Sequence, residues 1–361
     1  MIFLLMTLVV LGQLVSADQK QQLALSSALS NFSQRLYQKV SVDMPNVVYS
    51  PYSIHSALNM VSLGARGDTA TEIKNTLGIA SLGNSVHETY KELIKQMNSV
   101  TDVEMTTTNA LFLKPYIQHG PDFIPDSMGY YSAHIASIQF PHLAGPEKLI
   151  NGYIAARTKN KINNLLRPGT QELLSFSTDS VEMMTDDRNV NIKRDDVSKV
   201  DVAELPFKGG RFSLYIALPR AVNGITDLEQ LLVQPDQADQ LFTGLTSVGA
   251  RLVIPKFKTE TMLNLNTPLK EMGITQAFNP SSANFSGITP ARIFISEVLQ
   301  KVLIEVEEIG AVVSAAAAMK VMRLSSGPLH LKENFIADHS FVYFLRDNQT
   351  GQILLQGKFT G

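Results

Sequence analysis

Apolar residues recur every three or four positions in the first half of the chain and alternate with polar ones in much of the second. Leu25, Leu29, Phe32 and Leu36 stand at helical spacing and predict a helix with one apolar face. Ser50-Pro51 opens a second helix, with Ile54, Leu58 and Val61 on one side. Thr69-Ala70-Thr71-Glu72 reads as a capping box ahead of Ile73 and Leu77, because Thr69 and Glu72 can satisfy each other's free amides. A further helix is predicted from Pro146 through Ile150, Ile154 and Ile162 to Leu166, stopped by Pro168-Gly169.

The second half predicts strands. Residues 199–207 and 211–219 flank Gly209-Gly210, and Phe212, Leu214, Ile216 and Leu218 alternate with smaller or more polar neighbours, as a hairpin with one buried face requires. Residues 251–258 and 301–306 read as further strands, and a short helix lies between Thr267-Pro268 and Gly273. Residues 341–345 and 352–356 flank the turn Asp347-Asn348-Gln349-Thr350-Gly351. Helices followed by antiparallel strands predict an α+β fold, and without repeats or long linkers one mature domain over 18–361 is the simpler organisation.

Composition narrows this. The chain has 361 residues, 44% of them hydrophobic, which suffices for a large core. A net charge of −2 gives no electrostatic reason to expect nucleic acid or an anionic membrane as partner. The run from Met1 to Gly12 is apolar but short for a membrane span, and Val15 and Ala17 suit the small-residue positions before a signal-peptidase cut. Residues 1–17 are therefore expected to be a signal peptide and the protein secreted. With 0 cysteines, it must hold together by packing alone, and thiol catalysis and cysteine metal sites are ruled out.

The sequence holds no recognisable catalytic motif. His55, His87, His119, His134, His142, His330 and His339 fall in no recognisable catalytic frame, and neither a His-Glu-x-x-His site nor a Gly-x-Ser-x-Gly elbow occurs. No enzyme activity, cofactor or metal is expected. Lys91 and Lys95 lie one helical turn apart without further basic residues, which reads as a solvated face rather than a glycosaminoglycan site. Sequons begin at Asn31, Asn284 and Asn348; the last caps a hairpin turn and is the preferred glycosylation site.

One stretch reads as neither core nor helix nor ordinary turn. After residues 301–306 come Glu307-Glu308-Ile309-Gly310-Ala311-Val312-Val313-Ser314, then Ala315-Ala316-Ala317-Ala318 and a polar run ending in Ser325-Ser326-Gly327-Pro328. Four alanines lack the bulk to anchor a core, while Lys320, Arg323 and Gly327-Pro328 belong in solvent. A protease binds its substrate extended, so Lys320, Arg323 and Leu324 could fill a specificity pocket. The preceding small residues could enter a β-sheet once the loop is cut.

These segments together resemble the serpins from about Leu25 to Gly357. The matching stretches include residues 46–54, Gly64-Ala65-Arg66-Gly67-Asp68, Leu205-Pro206-Phe207-Lys208-Gly209, Asn284-Phe285-Ser286-Gly287, residues 301–308 and Phe335-Ile336-Ala337-Asp338-His339-Ser340-Phe341. A secreted, invertebrate-type serpin is the closest description. The resemblance implies three β-sheets, about nine helices and an exposed reactive-centre loop, in a protein expected to be a monomer. It also implies suicide inhibition of serine or cysteine proteases, in which the cut loop inserts into the central sheet and drags the acylated enzyme with it. Carried over, Glu308 and Gly310 start the hinge, and Ala311, Val312, Val313, Ser314, Ala315, Ala316, Ala317 and Ala318 form the inserting segment. Loop length puts the reactive bond at Leu324-Ser325, with Arg323-Leu324 next. The first predicts a chymotrypsin- or elastase-like target and the second a trypsin-like one.

The chain departs from the family in two ways. Ile309, Val312 and Val313 stand where the family usually has Glu and small residues, and Val313 would share the inserted buried face with Ala311. More seriously, serpins carry a strand of pattern Asn-Ala-x-Tyr-Phe-x-Gly-x-Trp after the helix ending near Leu166. Here Leu174 runs directly into Ser175, and the chain has 0 Trp. The central sheet is therefore expected to be incomplete. The chain should then inhibit poorly or, alternatively, serve as a non-inhibitory carrier or extracellular binding protein.

Overall fold

The computed structural model describes residues 17–100, 109–113, 118–137, 147–166, 182–307, 310–314 and 333–361. Its first half holds helices α1 (Ala17–Val40), α2 (Pro51–Ser62), α3 (Gly67–Thr76), α4 (Ser85–Asn98), α5 (Phe123–Tyr131) and α6 (Glu147–Arg157). Strands β1 (Val47–Tyr49), β2 (Ala110–Leu113) and β3 (His134–Ser137) lie among them. The second half holds β4 (Met183–Asp195), β5 (Val200–Pro206), β6 (Phe212–Pro219), α7 (Ile225–Leu232), α8 (Pro235–Gln240), β7 (Thr246–Pro255), β8 (Phe257–Asn264) and α9 (Asn266–Glu271). It ends with β9 (Leu299–Glu307), β10 (Gly310–Ser314), β11 (Glu333–Ile336), β12 (Phe341–Asp347) and β13 (Ile353–Phe359). Among the described residues this makes nine α-helices and three sheets, a mixed α+β fold as the sequence leads one to expect.

The largest sheet has eight strands in the order β1-β13-β12-β6-β5-β4-β7-β11. Successive residues of a strand point to opposite faces, and both faces are covered at β13, β12, β6 and β5, whereas β4, β7 and β11 leave many positions exposed. On β12, Phe344 meets Phe242 edge-on at 5.2 Å, while its neighbour Tyr343 meets Phe257 at 5.2 Å on the other side. The β5–β6 hairpin is accordingly buried on both faces, not on one as its alternation suggests. Gly209 and Gly210, at φ 81° and 70°, turn it. Tyr343 pairs with Gly357 across the ladder, and a Cβ on that glycine would lie 2.3 Å from the Tyr343 ring.

The predicted strand over 251–258 is two strands. Pro255 ends β7 in the eight-stranded sheet, and Phe257 begins β8 in a three-stranded sheet of order β10-β9-β8. Between them Lys256 donates its amide to the Glu182 carbonyl at 2.7 Å. Phe257 packs on Phe341 and Phe359 at 6.0 and 4.9 Å and so joins the two sheets.

The helices mostly follow the apolar pattern. Leu25, Leu29, Phe32 and Leu36 of α1 are buried, and Ser50 caps α2 by accepting the Ser53 amide at 3.2 Å. The capping box does not form. Helix α3 begins at Gly67, so Thr69 lies inside it and accepts the Asn284 amide at 3.0 Å. Glu72 instead caps a distant turn, accepting the Thr275 and Gln276 amides at 2.7 Å each. Both side chains found partners some 200 residues away, which no local rule anticipates. Helix α6 also stops short of Leu166: Lys159 and Asn160 take φ of 49° and 62°, and Asn151 then clasps Leu166 through its amide and carbonyl at 2.8 and 2.7 Å.

A buried aromatic cluster joins α2, α4 and α5. His55 Nε2 faces the Leu77 carbonyl at 2.9 Å, and because a carbonyl only accepts, Nδ1 must accept from the Tyr90 hydroxyl at 2.6 Å. His87 Nδ1 meets the Tyr131 hydroxyl at 2.6 Å. Burial lowers both histidines to about 4, with the Lys74 charge adding to the effect at His87. Above the ordinary pH of about 6.5 both states are neutral and folding loses nothing. Below it the unfolded chain binds protons that the folded chain refuses, so stability falls between about 6.5 and 4 by up to ~3 kcal/mol per histidine. Urea denaturation at stepped pH should show this loss, and a His87→Gln variant should show roughly half of it. Gly357→Ala should lower stability by ~1–3 kcal/mol at neutral pH through its collision with Tyr343, measurable in the same experiment.

Candidate functional site: the hinge strand and the two anchors of the loop

Strand β9 is built for a sheet interior. Val302, Leu303, Ile304 and Val306 are buried, and β8 pairs along its whole length from Phe257↔Val306 to Asn264↔Leu299. Ion pairs between Lys301 and Glu260, and between Lys258 and Glu305 at 3.6 Å, reinforce that side. Gln300 fastens the sheet to the start of α2, accepting the Ser50 amide at 2.9 Å and donating to the Ser50 carbonyl at 3.0 Å. Thr261 accepts the Val48 amide at 3.0 Å from β1.

The other edge of β9 is taken by residues that the resemblance reads as the hinge. Residues 310–314 form β10, antiparallel to β9, with Gly310↔Glu307, Ala311↔Val306, Val312↔Glu305, Val313↔Ile304 and Ser314↔Leu303 in register. Directly paired residues share a face, so positions 311 and 313 take the face of their partners Val306 and Ile304. Glu308 and Ile309, which link the strands, lie outside the described residues, as do Ala315, Ala316, Ala317, Ala318 and the candidate reactive positions Arg323, Leu324 and Ser325.

The chain returns in a different sheet. Four-residue β11 runs parallel to β7 at the end of the eight-stranded sheet, with Phe335 fully buried. Arg194 of β4 holds it, donating to Glu333 at 3.2 Å and to the Asn334 carbonyl at 2.5 Å while also pairing with Asp201 at 2.5 Å. Its guanidinium lies 5.9 Å from the Phe335 ring centre. The Ala337 amide donates to the Val253 carbonyl at 2.8 Å, and His339 Nε2 lies 2.6 Å from the Pro219 carbonyl oxygen. Residues 315–332 lie outside the described residues, and the segments on either side of them, β10 and β11, belong to different sheets. Sequence reasoning put residues 311–318 in a segment that inserts only after cleavage and so did not anticipate the pairing of 310–314 with β9; it also missed the Arg194 clamp, whose partners Glu333 and Asn334 lie 139 and 140 residues away and carry no motif.

A profile of the family described as Serpin (serine protease inhibitor) matches residues 27–175 and 172–361. The chain belongs to the serpin family. Human leukocyte elastase inhibitor is 29% identical over 378 residues, covering 93% of this chain and 99% of that protein. Plasminogen activator inhibitor 1 of Bos taurus is 27% identical over 386 residues, covering 95% and 94%. A solved thyroxine-binding globulin complex with thyroxine superposes with a TM-score of 0.78 at 23% identity, over 92% of this serpin and 98% of that chain, which shows a shared fold. Both sequence alignments are longer than the 361 residues of this serpin, so its relatives carry segments with no counterpart here.

The family match comes in two stretches that meet at residues 172–175, beside the Leu174-Ser175 junction where the resemblance leads one to expect a missing strand. Among the described residues, β2 and β3 form a separate parallel pair, and the hinge strand β10 ends the three-stranded sheet. Residues 167–181 lie outside the described residues.

The described residues hold no group of three or more His, Asp or Glu placed to bind a metal ion. Lys91 and Lys95 pair with Glu88 and Glu92 at 3.1 and 3.7 Å. Arg194→Ala should weaken the loop's return anchor by ~1 kcal/mol, the low end for charged hydrogen bonds because the site is partly exposed. Amide hydrogen exchange over residues 333–336 should rise several-fold in that variant while exchange in β9 stays unchanged.

Proposed function

We propose that this serpin is secreted and acts on a serine protease as a pseudo-substrate, with its loop cut beside Leu324 or Arg323. The cut chain escapes more often than it traps the enzyme. The observation that supports this reading is the divided receiving sheet. The hinge is already paired to β9, while β2 and β3, which could close its far side, form a sheet of their own among the described residues. Trapping needs the whole loop to insert between strands, and every inserted backbone group needs a partner on both sides. Bait and trap are therefore separable: cutting requires only an extended accessible segment, whereas trapping requires the complete sheet. Export rests on the leader-like residues 1–17, and a monomer is the working state.

Incubation of the purified protein with trypsin, chymotrypsin and elastase tests this. The expected result is a clipped chain whose new terminus is Leu324 or Ser325, with little covalent complex on a denaturing gel. Arg323→Ala should abolish the tryptic cut there and Leu324→Ala the chymotryptic one. A covalent complex as the main product would refute poor trapping, and no cleavage between 315 and 325 would refute the bait.

A carrier or extracellular binding role is the second reading, favoured by Ile309, Val312 and Val313 in the hinge and by the divided sheet. Cleavage itself separates the two, since only the pseudo-substrate reading requires a cut beside Leu324 or Arg323. Melting before and after the cut tests the divided sheet that both share: unchanged melting supports it, and a sharp rise, which marks insertion of the cut loop, refutes it.

A further inference from the structure

We propose that Asn284, not Asn348, is the acceptor of an N-linked oligosaccharide; this rests on the secreted reading above. The side chain of Asn348 is fully used by the fold. Its Nδ2 donates to Ser213 Oγ at 2.7 Å and Glu204 Oε1 at 3.0 Å, with the Gly210 carbonyl at 3.3 Å. Its Oδ1 accepts from the Tyr215 hydroxyl at 2.9 Å. Glu204 is held in turn by Ser213 Oγ at 2.7 Å and Asn191 Nδ2 at 2.9 Å, so no acceptor has room to withdraw. Thr350, which completes that sequon, is buried. A glycosyl carbon on Asn348 Nδ2 would replace one of two hydrogens that are both bonded and would occupy space filled by Glu204 and Ser213. Glycosylation at Asn348 and this fold exclude each other.

Asn284 is the opposite case. The residue is exposed, and its Nδ2 has no hydrogen-bond partner among the described residues. Its Oδ1 accepts the Ser286 amide at 3.2 Å, which sets the side chain beside the exposed serine that completes the sequon. The backbone is pinned independently of that side chain: Arg66 donates its amide to the Asn284 carbonyl at 2.9 Å, and Thr69 Oγ1 accepts the Asn284 amide at 3.0 Å. Buried Phe285 anchors the turn from beneath. At Asn31 the asparagine is exposed on α1, but Ser33 is buried and its hydroxyl donates to Gln356 Oε1 at 2.6 Å. Asn284 alone offers both residues of its sequon to solvent.

In the transfer, Asn284 Nδ2 forms a bond to the anomeric carbon of an oligosaccharide carried on a polyprenyl pyrophosphate. The bond from that carbon to the pyrophosphate oxygen breaks, the polyprenyl pyrophosphate leaves, and one amide proton passes to a base of the transferase. The remaining Nδ2 hydrogen and Oδ1 stay as they are, so the Ser286 contact survives.

The full chain should be expressed in a eukaryotic secretory cell line, both unaltered and with an unrelated secretory leader fused in front. Enzymatic glycan release in heavy-oxygen water, followed by peptide mass spectrometry, then marks each occupied asparagine. The expected result is a heavy-oxygen mark at Asn284 and none at Asn348. N284Q should lose one glycan's mass and melt like the enzymatically deglycosylated parent, while N348Q should keep its glycan and melt lower. An exported chain unmodified at Asn284, or a glycan on Asn348 in protein that melts normally, overturns the proposal. Export and marking of the leader-fused chain alone would leave Asn284 assigned and refute secretion by residues 1–17.

Discussion

The backbone of β9 sets the terms for the functional end of this serpin. Its centre is buried, and a buried amide or carbonyl without a partner costs about 1–3 kcal/mol. Strand β8 satisfies one edge, and residues 310–314 satisfy the other. The hinge is the strand next in sequence, joined through residues 308 and 309 alone, so pairing it closes a very short loop at little entropic cost. The chain beyond residue 314 must therefore start from the edge of the three-stranded sheet and return to the eight-stranded one. Residues 314 and 333 thus mark the two ends of a span between sheets.

The scaffold that holds this span depends on polar contacts between the helical first half and the strand-rich second half. Helix α1 presents more than apolar residues inward. Ser33 and Gln34 bond Gln356 of β13, and Tyr49 of β1 joins them through its hydroxyl at 3.0 Å from Gln356 Oε1. Nearby, Lys358 is buried yet satisfied by Glu229 at 2.9 Å and the Ser41 carbonyl at 3.2 Å, and Tyr37 shares the same carboxylate. Each group is completed by residues more than a hundred positions away, so the first and last segments of the fold are satisfied only together.

Bait and trap obey different physics. The attractiveness of a loop to a protease is local: extended backbone and one or two side chains decide it. Capacity to trap belongs to a whole sheet, because each inserted residue needs hydrogen-bond partners on both sides and room for its side chain. The division of the strands into β2·β3 and β10·β9·β8 bears on the second property and leaves the first untouched.

Local periodicity and turn chemistry were enough to read the amphipathic faces of α1 and α2 and the hairpin turns at Gly209-Gly210 and around Gly351, because each depends on neighbours within a few residues, while the family came from ordered stretches of resemblance along the chain. The likeness to other serpins also raised the expectation of a missing strand between Leu174 and Ser175, and the family match divides at 172–175. Tertiary structure alone decided which polar groups answer one another. Thr69 and Glu72 look like a cap for their own helix yet serve Asn284 and residues 275–276, and Arg194 looks like an ordinary strand residue yet clamps the loop's return. Asn348 looks like an exposed turn residue yet has every donor and acceptor occupied. A hydrogen-bonding side chain states in sequence what it can give or take; only the packed fold states from whom.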